Sequence, residues 1–481
     1  MLPPDCDSEV PASSLGLRDL GWAAGLGVAV AAACAVQPQA AMHGYDVYPL
    51  LAWFGTGSGH PQHPLYLPVG ELLQAVLGTS PHESLLVLSA LATGLAAALV
   101  HATARVLGFD RVLAVAATIL FALLPAVVHF GTVVEMHAPF VAAYGCCWLL
   151  AARWRNCIWV RPALLLGALS GAATLLHATG HLAVLVLGPS WCLLAASRPG
   201  RGACARALGA LLVAHATVWG VGFLCLQHLR PPLHDDDPVR FLARHWEAAG
   251  LVGASGHALW AEWLLPFLPV SIVLPVVAAM PQWRRAGSWA LLVVAGYVLL
   301  SGILLWSRNL EHGSYLLVLA APLVLLCAAA LPRAVTWLMV PLAAAATLHH
   351  LGSVDREPAD PVFGSVVAAH LEKAPAMVVV AGFAERDGLV QQAPRARLVS
   401  VDELLATLDG IPAVDVATAR LWLAQQAAGA PNRTVLITRR ALGELAARHP
   451  ALAQAVAAPS DGLDVVPVDL VKASLVEVRL R

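Results

Sequence analysis

At 481 residues, with 59% hydrophobic and 12% charged side chains and a mean hydropathy of +0.72, the chain is too apolar for an ordinary soluble enzyme, where charged residues make up about a quarter. A formal net charge of -1 gives no basic field for nucleic acid, and no run of like charges forms a polybasic lipid-binding tail. Soluble multidomain and nucleic-acid-binding readings are excluded, and an α-helical polytopic membrane protein remains.

Residues 1–17 carry Asp5, Asp7 and Glu9 but lack a basic n-region and a small-residue cleavage site, so they read as a cytoplasmic tail before a retained anchor. Runs apolar enough to span follow at about residues 18–37, 84–104, 112–128, 132–152, 161–177, 180–197, 206–227, 259–279, 287–306, 314–331 and 333–350, or about eleven transmembrane helices. Alternate loops hold Arg18, Arg105, Arg111, Arg153, Arg155, Arg161, Arg198, Arg201, Arg206, Arg284, Arg285 and Arg333, while the opposite loops hold only Arg230, Arg240, Arg244 and Arg308. The positive-inside rule places the richer side in the cytoplasm, and an odd span count then carries residues 351–481 to the other side. Lys occurs only at Lys373 and Lys472, a bias expected of a GC-rich bacterial genome and hence of a bacterial plasma (inner) membrane. The cysteines all precede residue 350, in spans or cytoplasmic segments, and suggest neither a disulfide framework nor a CxxC metal site.

Composition changes near residue 350: 31 charged residues lie in the first 350 positions and 28 in the last 131. A transmembrane domain over 18–350, with a large outer loop at 38–83, is therefore followed by a small C-terminal α/β soluble domain over 351–481. Within it Met377 to Ala381, Thr434 to Thr438 and Ala473 to Leu480 have strand character, and Val414 to Ala428 and Arg440 to His449 read as helices, giving a partly parallel sheet. No GxGxxG or GxxxxGK[ST] occurs there, so no nucleotide cradle is indicated and a lid or partner-docking role is expected.

Polar residues collect on the outer side of the bundle. Asp46 lies in the first outer loop, which has no Lys or Arg to pair with it; it reads either as a general base for an attacking hydroxyl or as a solvated loop or helix-capping residue. The same loop carries His60 and His63 in the stretch His60-Pro61-Gln62-His63-Pro64-Leu65-Tyr66. Glu135 and His137 occupy a short turn between spans, where a carboxylate near hydrocarbon is either functional or snorkels to the interface. His177 and His181 would share a face if helical, a spacing that suits packing or hydrogen bonding better than zinc, since no third ligand is evident. Arg308 and His312 sit between two late spans, as a phosphate contact or as an interfacial anchor. The loop from 228 to 258 contains Asp235, Asp236 and Asp237, a solvated turn or a site for a divalent cation, and then Val239, Leu242 and Trp246 at the spacing of a short interfacial helix.

Together these features resemble the GT-C superfamily of polytopic glycosyltransferases, particularly its bacterial branch similar to protein O-mannosyltransferases. The residues that carry the likeness are Asp46 soon after the first span, the stretch His60 to Tyr66, the turn Glu135-Met136-His137, the stretch Gly171 to Pro189 with His177, and a late Arg308 followed by Tyr315. The resemblance implies transfer of a sugar, usually with inversion, from a polyprenyl-phosphate-linked donor to a protein, lipid or glycan acceptor outside the cytoplasm. It implies Asp46 as general base and Arg308 as donor-phosphate contact, with His60, Glu135 and His137 shaping the site; His63, His177, His181 and His312 stand beside them as further candidate substrate-binding residues. No metal ligand and no firm cofactor are expected, a divalent cation staying open.

Two other readings stand beside it: a transporter or flippase of lipid-linked intermediates, which would also put ionisable groups on a water-filled path, and a non-catalytic scaffold whose tail recruits partners.

Overall fold

The structure is a computed structural model, and it describes residues 15–36, 50–51, 53–60, 62–194, 200–231, 264–279, 314–353, 361–381, 385–386, 389, 392–393, 396–401, 404, 415–457, 463–470 and 473–480. The chain divides into two compact units, Met1–Pro38 with Phe54–Val354, and Gln39–Trp53 with Asp355–Arg481.

The first unit is helical: α1 (Leu17–Val36), α2 (Tyr66–Leu77), α3 (Pro81–Val106), α4 (Arg111–Ala122), α5 (Pro125–Gly131), α6 (His137–Arg153), α7 (Val160–Thr174), α8 (Gly180–Leu194), α9 (Arg201–Leu229), α10 (Val270–Ala279), α11 (Ala320–Ala330) and α12 (Arg333–Ser353). Among the described residues α1, α3, α9 and α12 are each long and apolar enough to cross a membrane, and α4 with α5 make a further candidate span bent by 65°. Pro125 starts the second half of that bent pair. The break is closed from outside, for the Thr347 hydroxyl of α12 donates to the Leu123 carbonyl at 2.6 Å. α3 begins with a capping box in which Ser80 and Glu83 satisfy each other's backbone N–H groups, with Pro81 at the first helical position.

Small residues bring helices into near-contact. A Cβ on Gly94 of α3 would stand 2.4 Å from the Gly27 carbonyl of α1. Gly167 and Gly171, one turn apart on α7, do the same against α9, where added Cβ atoms would lie 2.1 Å from Leu211 O and 2.5 Å from His215 O. On α9 the buried residues are Ala207, Leu211 and His215, spaced by four and so on one stripe. The rest of that helix shows exposed apolar side chains such as Val213, Val221 and Leu224, the composition of a surface that meets lipid.

The two ends of the helices carry different polar clusters. At one end Asp19 of α1 accepts from Arg105 and Arg111, Arg155 donates to Val106 O at 2.8 Å, and Arg333 pairs with Asp110. The other end carries the loop and turns that hold the histidines.

In the second unit a five-stranded sheet runs in the order β2-β1-β3-β5-β4, formed by β1 (Met377–Val380), β2 (Arg397–Ser400), β3 (Thr434–Thr438), β4 (Leu463–Leu470) and β5 (Ala473–Leu480). β1 pairs in parallel with β2 and β3, while β3–β5 and β5–β4 are antiparallel. Helices cover both faces. Met377, Val379, Val435 and Ile437 pack with α14 (Val416–Ala428), α15 (Arg439–Arg448) and α16 (Pro450–Ala457), and Val378, Val380 and Leu436 pack with α13 (Pro361–Lys373). The Glu385 carboxylate ties the ends of the two central parallel strands by accepting from Ala381 N at 3.0 Å and Thr438 Oγ1 at 2.7 Å.

Candidate functional site

Three connecting segments meet at the end of the bundle away from the arginines. The segment 54–65 turns on Gly55 and Gly57, both at positive φ (71° and 78°), where a side chain is strained. It then lies against the turn between α7 and α8, Leu65 N donating to Leu175 O at 3.1 Å. The turn between α5 and α6 supplies Glu135 and His137, and the Ser89 hydroxyl of α3 donates to the Glu135 backbone carbonyl at 3.4 Å.

These segments bring four histidines into one stack. His60 and His63 lie ring on ring with centroids 4.5 Å apart, His63 and His177 repeat that spacing, and His137 stands tilted against His177 at 4.4 Å. Phe130 and Phe140 flank the stack, at 5.0 Å from His137 and 5.4 Å from His177. All four imidazoles are buried, as is Glu135, whose Oε2 lies 3.9 Å from His137 Nε2. Glu135 therefore does not snorkel; it faces inward.

The hydrogen bonds decide where protons sit. His60 Nδ1 accepts from the Gln62 backbone N–H at 3.1 Å, and His177 Nδ1 accepts from the Thr179 backbone N–H at 3.2 Å with Thr179 Oγ1 at 2.7 Å. A nitrogen that accepts from a backbone N–H carries no proton of its own, so both neutral rings hold it on Nε2. Burial, reinforced by the neighbouring His177, His60 and His137 rings, pushes His63 well below its usual value of 6.5. The stack is thus a block of neutral N–H donors beside one carboxylate. Stacked rings turn faces rather than nitrogens toward one another, and among the described residues no group of three or more His, Cys, Asp or Glu side chains is arranged to hold a metal ion.

A cation stands next to it. Gly59 packs on Arg230 at the end of α9, where a Cβ would come within 3.0 Å of the Arg230 carbonyl. The Arg230 guanidinium pairs with Glu71 of α2, which also accepts from Gly55 N at 3.0 Å. Burial works against ionisation of Glu71, but the bonds from Arg230 and Gly55 outweigh it and hold the carboxyl below its usual range. On the same end, a cavity of about 180 Å³ is lined by Cys34, Ala35, Glu83, Leu86, Val87, Gly131 and Thr132.

Of the residues singled out in the sequence, the structure brings together His60, His63, Glu135, His137 and His177. His181 goes elsewhere: the α7–α8 turn interrupts the helix at His177, so the two residues share no helical face, and His181 Nδ1 instead meets His215 Nε2 of α9 at 3.1 Å. Asp46, Arg308 and His312 lie outside the described residues, as do Asp235 to Asp237 and the expected interfacial helix around Val239 to Trp246. Sequence reasoning missed Thr179, which a Thr two residues after a turn histidine could have flagged, and the Glu71–Arg230 pair, whose partners are 159 residues apart.

No family model and no curated sequence matches the chain. Solved structures do. ArnT from Cupriavidus metallidurans, bound to undecaprenyl phosphate and in the apo state, superposes over 95% of this chain and 98% of its own, with a TM-score of 0.56 and 16% identity. The oligosaccharyltransferase of Archaeoglobus fulgidus, in complex with Zn and sulfate, matches over 91% of this chain and 70% of its own, with a TM-score of 0.51 and 13% identity. Both neighbours belong to the GT-C superfamily, and theirs is the fold of this chain.

Proposed function

We propose that the chain is a membrane glycosyltransferase that moves a sugar from a polyprenyl-phosphate-linked donor to a hydroxyl of a protein, lipid or glycan on the extracytoplasmic side of a bacterial plasma membrane. The observation that carries this reading is the alignment of nearly the whole chain with ArnT, a GT-C enzyme seen with undecaprenyl phosphate bound, together with a buried cluster of histidines and Glu135 at one end of the bundle.

In the reaction the acceptor oxygen forms a bond to the anomeric carbon as the bond from that carbon to the phosphate oxygen breaks, and the phosphate departs with the electron pair on its lipid. Asp46 takes the acceptor proton. Arg308, with His312 four positions further along the sequence, meets the charge that grows on the leaving phosphate. His60, His63, Glu135, His137 and His177 shape the sugar site, the Nε2–H groups of His60 and His177 serving as donors to sugar oxygens, and His181 contributes from the adjoining helix. The membrane boundary suits this work, since the donor keeps its chain in the bilayer while its phosphate reaches water.

A transfer assay in membranes with radiolabelled polyprenyl-phosphate sugars tests the reading. Wild type is expected to consume a donor, and Asp46→Asn at equal expression to lose about 100- to 10,000-fold in rate, the usual contribution of a general base. Transfer unchanged by the substitution moves the base elsewhere. No donor consumed by wild type across a broad panel favours a transporter of lipid-linked intermediates.

A further inference from the structure

A line of three hydrogen bonds crosses four helices of the first unit. Tyr144 Oη of α6 lies 3.3 Å from Ser170 Oγ of α7, Ser170 Oγ lies 3.1 Å from His215 Nδ1 of α9, and His215 Nε2 lies 3.1 Å from His181 Nδ1 of α8. Tyr144 and Ser170 are wholly shut away from solvent, His215 is nearly so, and His181 is half-buried. The path therefore leads from the core to an edge. It is held in register by Gly171, whose bare Cα lets α9 come close at His215, and by Trp219, whose ring stands perpendicular to His181 with centroids 4.4 Å apart.

Such a chain has two possible directions, and the buried hydroxyls select one: Ser170 accepting from both Tyr144 and His215 would leave its own buried O–H without an acceptor among the described residues. Running outward, Tyr144 donates to Ser170, Ser170 donates to His215 Nδ1, His215 carries its proton on Nε2 and donates to His181 Nδ1, and His181 must then carry its own proton on Nε2. Running inward, the Tyr144 O–H would need a second acceptor in the apolar core, and no other hydrogen-bond partner of Tyr144 lies among the described residues. A buried donor left without an acceptor is the costlier state, so the outward direction prevails.

We propose that the relay Tyr144–Ser170–His215 fixes His181 as the Nε2–H tautomer, so that this ring offers a single N–H donor to an oxygen of the lipid-linked substrate. The identity of the substrate rests on the glycosyltransferase reading; the tautomer does not. Tyr144, Ser170 and His215 are positioning residues, acting through His181. The donor they set has the same tautomer as His60 and His177, and it lies four residues beyond the latter across the α7–α8 turn, where Gly180 N bonds His177 O at 3.1 Å. Three N–H groups are thereby prepared in the same sense at one end of the bundle, without a formal charge.

The test is a ¹⁵N spectrum of the full-length protein in lipid nanodiscs, with labelled histidine and the His181 signals assigned by their loss in His181→Gln. Wild type is expected to show a bare Nδ1 and a protonated Nε2. Tyr144→Phe keeps the ring but removes the O–H that sets the direction, and is expected to show both tautomers; should it not fold, Ser170→Ala cuts the same line one bond further out and reports the same change. A wild-type Nδ1–H tautomer, or variant spectra identical to wild type, would overturn the relay whatever the activity of the chain. Two additions then locate the acceptor. A shift of His181 Nε2 with a plain polyprenyl phosphate assigns the lipid phosphate, a shift only with the sugar-bearing form assigns the sugar, and a shift with neither overturns the donor role. In the transfer assay Tyr144→Phe should raise KM for the lipid-linked donor several-fold with kcat little changed, a split that a merely looser fold would not give. A chain without transfer activity that still shows the Nε2–H tautomer sinks the glycosyltransferase reading and leaves the relay intact.

Discussion

His63 lies between two other imidazoles with almost no contact with water, which makes a charge on it costly. The unfolded chain takes up its proton near pH 6.5, whereas the folded chain does so only far below. The folded state is therefore fully favoured above about pH 6.5 and loses stability as the pH falls from there toward the depressed folded value. Thermal unfolding of the detergent-solubilised protein between about pH 7.5 and about pH 5 should show a falling midpoint, and His63→Phe, which keeps a ring in the stack but cannot take a proton, should flatten the fall. An equal acid loss in both proteins would place the responsible groups elsewhere. The residues of the stack were legible in the sequence because each stands in a loop or turn among apolar spans, where a polar side chain is conspicuous. Tyr144, Ser170 and His215 were not. Each sits among apolar residues inside a helix, and only the packing of α6, α7 and α9 reveals that they face one another.

Among elements, the approach of α7 to α9 depends on two missing side chains. Gly171→Val would drive a Cβ to within 2.5 Å of the His215 carbonyl, forcing the helices apart and stretching the Ser170–His215 bond. A loss of about 1–3 kcal/mol is expected, read as a lower unfolding midpoint, while the same substitution at Gly209, where nothing lies within 4 Å of the added Cβ, should be far milder. The second unit shows what periodicity can and cannot find. The strands at Met377 and Thr434, the closing strand at Ala473 and the helices from Val416 and Arg439 stand where hydrophobic pattern places them. β4 escaped because Pro467 interrupts it, and a proline argues against a central strand; the sheet order puts β4 at an edge, where a missing ladder donor is tolerated. β2 escaped because four half-exposed residues, Arg397 to Ser400, carry too little pattern to register.

Over the first unit as a whole, the pairs of Arg105, Arg111 and Arg333 lie at one end of the helices and the histidine stack, with the Arg230–Glu71 pair beside it, at the other. The positive-inside rule expects this arginine-rich end in the cytoplasm, and labelling from outside the cell tests it. In intact cells expressing a cysteine-free background, Thr56→Cys should react with a membrane-impermeant maleimide and Asn156→Cys only after permeabilisation, both positions being exposed. The reverse pattern would put the histidine end in the cytoplasm and remove the basis for an extracytoplasmic acceptor.

The Asp19 cluster carries a consequence for how the protein is made. Asp19 lies in the first helix, and the arginines that neutralise it belong to α3 and the start of α4, 86 and 92 residues later in the chain. Asp19 sits in the first turn of α1, so this helix emerges from the ribosome before the two arginines that pair with its carboxylate in the folded chain exist. Its final seat awaits the synthesis of Arg105 and Arg111, and the closure of Gly27 on Gly94 awaits it too, since both contacts join α1 to α3. Docking of the N-terminal helix on α3, as distinct from its insertion, thereby comes only after residue 105 has been made, with the order of synthesis acting as its clock.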